Sequence, residues 1–410
     1  MKKLSVSCAV CALLSFSTFS VQASSEDWPS WLAPQIEQHP DIAAAREQLS
    51  GSMATADATD QPLHNPELSS ELERNGEANN FRIGVQQTID WWDRRNSRQE
   101  QAVFIREAAE AQYRQLVMDK TAEVLTALVE WRAANRAAAI ATAQKDHFET
   151  LLELARKRQN AGDISSIDAE LTVLSLSQQL AEVAETEVAL LMAESRLREL
   201  LPEWSPELGG IPEDDWPAAP ASLADEDLLA HPAVASTRAD WQALKEAAEA
   251  IRRAAKAEPT IGVNAGRDGG ENVVALTFSV PLNVRNDFSA ETRAANSAAL
   301  EAEARFQAVF RKQRFELQAA QAAWQRYKEQ YSRWQAVAQN HVKNGPDLLE
   351  RQWRSGDLST ADYLQALNQR SQSLLAGIAL EKQSQLALTQ VLLQSGYLNM
   401  ATVPPTVQTN

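Results

Sequence analysis

The sequence predicts an α+β membrane protein: long helices and four short amphipathic strands, with one pattern written twice. Three observations carry this expectation. Stretches about 192–194 residues apart resemble one another in a fixed order. Four segments alternate apolar and polar residues. Two stretches, 94–160 and 288–344, contain neither Gly nor Pro.

The bulk numbers narrow the classes first. The chain has 410 residues, 44% hydrophobic and 23% charged, enough for one large or two medium domains. Lys plus Arg is 39 against 55 for Asp plus Glu, a net charge of −16. Such a balance argues against nucleic acid as a partner, because phosphate contacts need a basic face. No apolar run after residue 23 approaches the roughly 20 residues of a membrane helix, which leaves a β-barrel open.

The elements follow in chain order. Lys2 and Lys3 precede a mostly apolar and small stretch over residues 4–19, and Val21, Gln22 and Ala23 suit a cleavage site. Residues 1–23 read as a secretory signal peptide, with a short membrane anchor as the other reading. Cleavage would move the net charge to about −18. It would also remove Cys8 and Cys11, the only cysteines, so disulfides, zinc–thiolate sites and thiol catalysis are not expected.

The first copy spans residues 24–201. A helix is expected from His39-Pro40, then strands at about 65–74 and 81–91. In the second strand Phe81, Ile83, Val85, Ile89 and Trp91 face one way, and Arg82, Gln86, Thr88 and Asp90 the other. A helix over 94–160 would be roughly 100 Å long. It ends at Gly162, Asp163, Ile164 and Ser165, from which another helix returns. Residues 202–225, rich in Pro and Gly, read as a linker; its Glu213, Asp214 and Asp215 read as solvated surface rather than metal ligands.

The second copy, residues 226–397, repeats that order and leaves 398–410 as a tail. His231-Pro232 matches His39-Pro40, Glu258-Pro259 matches Asn65-Pro66, Trp324 matches Trp131, and Gly356, Asp357, Leu358 and Ser359 match the first turn. Strands are expected at about 259–267 and 272–282, with Val274, Leu276, Phe278, Val280 and Leu282 on one face. Polar loops over 74–80 and 266–272 suit hairpins. In the second long helix Phe310, Leu317, Trp324 and Tyr331 recur at seven, with Ala320, Tyr327 and Trp334 three positions later, an a/d seam.

The strands alone permit two readings: soluble hairpins packed on helices, or staves crossing a membrane. Four strands cannot close, and unpaired edges in lipid cost several kcal/mol per orphan backbone group. Membrane-spanning strands therefore require several chains to share one barrel. The long helices alone also suit a filament or adhesin coiled coil, which would leave the paired strands without a role.

The repeated order, the Gly turns and an acidic residue six positions after each turn glycine make the sequence resemble the TolC-like outer-membrane efflux proteins, over about residues 39–397. Its most specific stretches are 81–102 and 274–295, where Val280-Pro281-Leu282 is followed by Asn286 and an Ala-rich helix. The resemblance implies a homotrimer with a 12-stranded β-barrel, four strands per chain, continued by an α-helical periplasmic tunnel. It implies the outer membrane of a Gram-negative bacterium, and lipid contact by the apolar strand faces. It further implies that the tips Gly162, Asp163, Ile164, Ser165, Gly356, Asp357, Leu358 and Ser359 meet a periplasmic adaptor, and that Asp362 and Asp168 ring the entrance. Gln365 stands where the family often has a further acid, which weakens that ring. By analogy with compact members, the partner pump is expected to be of the resistance-nodulation-division type, for metal cations rather than drugs.

No catalysis and no cofactor are expected. The five histidines, His39, His64, His147, His231 and His341, show no metal-binding helical spacing. Neither a phosphate-binding Gly loop nor a nucleophile elbow is present. His39 and His231 read as structural helix starts, and His341 as packed on the seam.

Overall fold

The computed structural model describes residues 28–75, 78–162, 165–208, 218, 225–344 and 346–398. The stretch read as a signal peptide, Asp163, Ile164, most of the stretch read as a linker and most of residues 398–410 lie outside them, as do the side chains of Asp168 and His341.

The first half runs α1 (Trp28–Glu37), α2 (Pro40–Asp60), β1 (Glu67–Asn75), β2 (Ala78–Thr88), α3 (Arg94–Ala161) and α4 (Ser166–Leu200). After a single 3₁₀ turn, Pro206–Leu208, come α5 (Asp225–Leu229), α6 (Pro232–Ala254), β3 (Thr260–Asp268), β4 (Glu271–Ser279), α7 (Ser289–Asn344), α8 (Pro346–Ser355) and α9 (Thr360–Gln394). The order helix, strand, strand, long helix occurs in both halves, but in the second α8 stands between the long helix α7 and the returning α9.

Local chemistry sets the helix starts. His39 and His231 each turn a ring nitrogen onto the backbone N–H two residues on, and Pro40 and Pro232 occupy the first helical turn, where no N–H is needed. Asp90 accepts from the backbone N–H groups of Arg94 and Arg95, both at 2.8 Å, and so caps the 68-residue α3. Asp93 and Phe288, directly before the two longest helices, both have positive φ (58° and 55°).

The four strands form one antiparallel sheet in the order β1-β2-β3-β4, so the two halves join where β2 pairs β3. Asp268 pairs with Glu271 across Gly269 and Gly270. Both glycines have positive φ (58° and 94°), as the tight two-residue hairpin turn demands.

Four sequence expectations need correction. β2 ends at Thr88, so Ile89 and Trp91 lie beyond the ladder; β4 ends at Ser279, so Val280 and Leu282 do too. The alternation in the sequence runs past the ladder here: Ile89 still donates its N–H to the Pro259 carbonyl at 2.9 Å, but Pro281 has no N–H to give and Asp90 turns its carboxylate to α3. β1 and β3 each begin one or two residues later than expected, after Pro66 and Pro259. The second long helix does not run to its tip: α7 ends at Asn344 and a separate helix, α8, starts at Pro346. The short helices α1 and α5 were not expected.

Two apolar cores hold the helices. The larger joins α1, α2, α3, α4 and the last turns of α9 through residues such as Leu32, Met118, Leu125, Leu197 and Leu392. Within it Trp131 meets Trp204 edge to face, 5.1 Å between ring centres. The smaller core lies at the far end, beneath the tips, around Phe148, Trp353 and Tyr363. On α7, Leu317 is buried and Phe310, Ala320, Trp324, Tyr327, Tyr331 and Trp334 are half-buried, so the a/d seam faces its neighbours as the heptad predicts.

Candidate functional site

The two ends of the molecule differ in chemistry, and each carries predicted residues. At one end the sheet is uncovered on both faces. Register places Leu68, Val85, Val263 and Leu276 in one row and Ser70, Ile83, Ala265 and Val274 in the next. Together with Phe81, Ile261 and Phe278 these residues make one apolar face. Among the described residues no helix covers it: Leu72 is 88% and Leu276 82% exposed. Phe81, Ile83, Val85, Val274, Leu276 and Phe278 share the face, as the alternation predicts.

The opposite face is polar and closely packed. It carries Glu67, Glu71 and Glu73 on β1 and Arg82 on β2; Arg82 donates to Asp268 at 2.9 Å and lies 3.6 Å from Glu71. A Cβ at Gly266 would fall 2.0 Å from the Phe81 carbonyl oxygen, so only glycine permits that backbone approach. Among the described residues, β1 and β4 are the unpaired edges of this sheet.

At the other end stand the tips. Gly162 and Gly356 adopt φ of +81° and +83° with open space around them, the left-handed turn that ends a helix. Ser359 caps α9: its hydroxyl accepts from the Asp362 N–H at 3.1 Å and donates to the Asp362 carboxylate at 2.7 Å. Asp362 is exposed and part of this capping pair. Gln365 is also exposed.

Beneath the second tip sits a cluster that sequence reading missed. Trp353 stacks on Tyr363 with ring centres 5.1 Å apart, and its indole N–H donates to Thr360 at 3.2 Å. His147, from α3, lies 3.0 Å from the Tyr363 hydroxyl. Burial pushes the Tyr363 hydroxyl up to about 12 and holds the His147 imidazole below its ordinary value, with Arg370 and Arg354 adding to the latter. Midway along the helices Arg136 donates twice to Glu381 (2.6 and 2.7 Å), and Tyr331 donates to the same carboxylate at 2.8 Å. Neither group has a periodic signal, since each joins residues from both halves of the chain.

Among the described residues, no group of three or more His, Cys, Asp or Glu is placed to hold a metal ion, and no helix is long and apolar enough to cross a membrane.

Residues 31–202 match the family described as Outer membrane efflux protein. No curated protein matches the sequence. Solved structures match over nearly the full length. CusC, studied for folding and transmembrane channel formation, has a TM-score of 0.74 at 16% identity, covering 90% of this chain and 92% of CusC. The outer-membrane channel OprN gives 0.75 at 18%, with 90% of each chain covered. The Campylobacter jejuni outer membrane channel CmeC gives 0.72 at 14%, covering 96% of this chain and 94% of CmeC. The chain therefore has the fold of outer-membrane efflux channels, and its residues 31–202 carry the pattern of the outer membrane efflux protein family.

Proposed function

We propose that three copies of this chain form the outer-membrane exit duct of a tripartite efflux system. The observation that carries this reading is the four-stranded sheet: one face apolar and bare, the other polar, both edges open. Strands of 9–11 residues are about 30–36 Å long. At a tilt of roughly 45° that suits an outer-membrane hydrocarbon layer. Ring closure by identical copies pairs every edge, and three copies give twelve strands. α3, roughly 100 Å long, and α7 would carry the duct into the periplasm.

In this reading the apolar face meets lipid and the polar face lines the lumen. The tips at Gly162, Asp163, Ile164, Ser165, Gly356, Asp357, Leu358 and Ser359 receive a periplasmic adaptor. The inner-membrane pump is of the resistance-nodulation-division type, and metal cations are its cargo. The acidic lumen face and the net charge of −16 support cations. Asp362, with Asp168, narrows the entrance. The duct performs no chemistry of its own.

The purified protein should require detergent, sediment as a trimer and conduct cations in a planar bilayer. A water-soluble, non-conducting rod would instead mark a structural coiled coil. Asp362→Ala should raise conductance, whereas Ser359→Ala, which removes the cap and keeps the carboxylate, should not. Equal increases would assign the effect to loosening of the turn. Loss of the gene should sensitise cells to metal salts; sensitisation to drugs alone would redirect the cargo.

A further inference from the structure

We propose that the junction between sheet and helices is a collar for anionic phospholipid headgroups of the inner leaflet, an inference that rests on the sheet being membrane-embedded. Three chain segments meet there. The Trp92 indole N–H donates to the Ala257 carbonyl at 2.9 Å, and Asn283 donates to the Ala255 carbonyl at 2.8 Å. Arg253 holds Asp93 at 3.4 Å, and the Lys256 ammonium lies 4.4 Å from the centre of the Trp92 ring.

Exposed apolar side chains flank this junction, just past the ends of β2 and β4. Ile89 and Trp91 follow β2 in the chain, and Leu282 and Val284 follow β4. Leu282 is 80%, Val284 85% and Trp91 67% exposed. Tryptophan at the edge of an apolar band is the usual occupant of headgroup depth.

Beside these apolar groups stand exposed cations. Arg95, Lys256 and Arg285 have no carboxylate partner among the described residues. The local acids are already engaged: Asp90 caps α3, Asp93 meets Arg253, and Asp287 accepts the Ser289 N–H at 3.1 Å. In a chain of net charge −16, free cations bordering bare apolar side chains complement a lipid phosphate above its acyl chain. Free phosphate would have no use for the apolar border.

The test uses the purified full-length assembly in neutral detergent, titrated with phosphatidylglycerol or phosphatidylcholine, with bound lipid counted by native mass spectrometry. The wild type should prefer phosphatidylglycerol. Each cation near an anionic lipid surface contributes about fivefold, so the triple variant Arg95→Gln/Lys256→Gln/Arg285→Gln should lose on the order of 100-fold of that preference. Its trimer mass and conductance should be unchanged. A control triple on α7, Lys312→Gln/Arg326→Gln/Lys328→Gln, should keep the preference. Should the first triple fail to assemble, Lys256→Gln alone should lose about fivefold. Equal binding of both lipids by the wild type, equal loss in both triples, or displacement of the lipid by inorganic phosphate would overturn the collar. A conducting trimer blind to headgroup charge would sink the collar alone, whereas a protein that neither conducts nor takes up lipid would sink the channel reading.

Discussion

Two histidines act here as helix caps, an unusual use of the side chain. His231 accepts the Ala233 N–H on Nδ1 (3.3 Å), which leaves the proton on Nε2 to donate to the Leu393 carbonyl at 3.1 Å. Both bonds together need the neutral ring. Burial holds the His231 pKa below its ordinary value, against smaller opposing effects of the Leu393 carbonyl and Asp119. The sign follows from that direction. Below about pH 6.5 the unfolded chain takes up a proton that the folded chain refuses. Stability should therefore fall as pH drops from about 6.5 through the lowered folded value, and be flat above. His231→Asn keeps a capping acceptor without titrating, so its melting temperature should vary less between pH 7.5 and 5 than that of the wild type. His231→Ala should cost about 1 kcal/mol at pH 7.5 through loss of the cap. An unchanged pH dependence in His231→Asn would assign the acid sensitivity elsewhere, with His147 the next candidate.

At the scale of elements, α9 lies against α7 at one glycine. A Cβ on Gly377 would sit 2.3 Å from the Trp334 ring, which itself stacks on Tyr331 with rings 6.2 Å apart and nearly parallel. Alanine in a helix ordinarily gains about 0.5–1 kcal/mol over glycine. Overpacking a braced aromatic costs about 1–3 kcal/mol, so Gly377→Ala should destabilise on balance. Pairing it with Trp334→Leu should recover part of the loss in a denaturant titration; failure to recover would place the strain in the backbone instead. Elements with only local requirements were legible in the sequence. Long helices showed as the absence of Gly and Pro, and the starts of α2 and α6 as His-Pro. Strand ends were misplaced by up to three residues, since the sequence alternation that includes Ile89, Trp91, Val280 and Leu282 runs past the last paired residues, Thr88 and Ser279. The tip glycines and Ser359 were legible because one residue sets a turn. The Trp353–Tyr363–His147 cluster and the Arg136–Glu381 pair were not, because they join segments about two hundred residues apart that only the fold brings together.

At the scale of the whole molecule, everything turns on what each face of the sheet meets, and two adjacent residues can decide it. Leu276 lies mid-strand on the apolar face, opposite Val263; Thr277 lies on the polar face, opposite Gly262. A lone soluble sheet would expose both sides to water, and an arginine at either position would change stability little. A barrel of identical copies breaks that equivalence. Arginine near the mid-plane of the lipid face costs about 2–4 kcal/mol per chain, a cost every copy in the ring repeats. Leu276→Arg should therefore deplete assembled protein in the outer-membrane fraction. Thr277→Arg should assemble at wild-type yield and place a ring of positive charge in the lumen, opposing the acids on β1. Its single-channel conductance and cation preference should both fall. Equal tolerance of the two substitutions would mean that neither face meets hydrocarbon, and the sheet would then need a different partner to cover its apolar side.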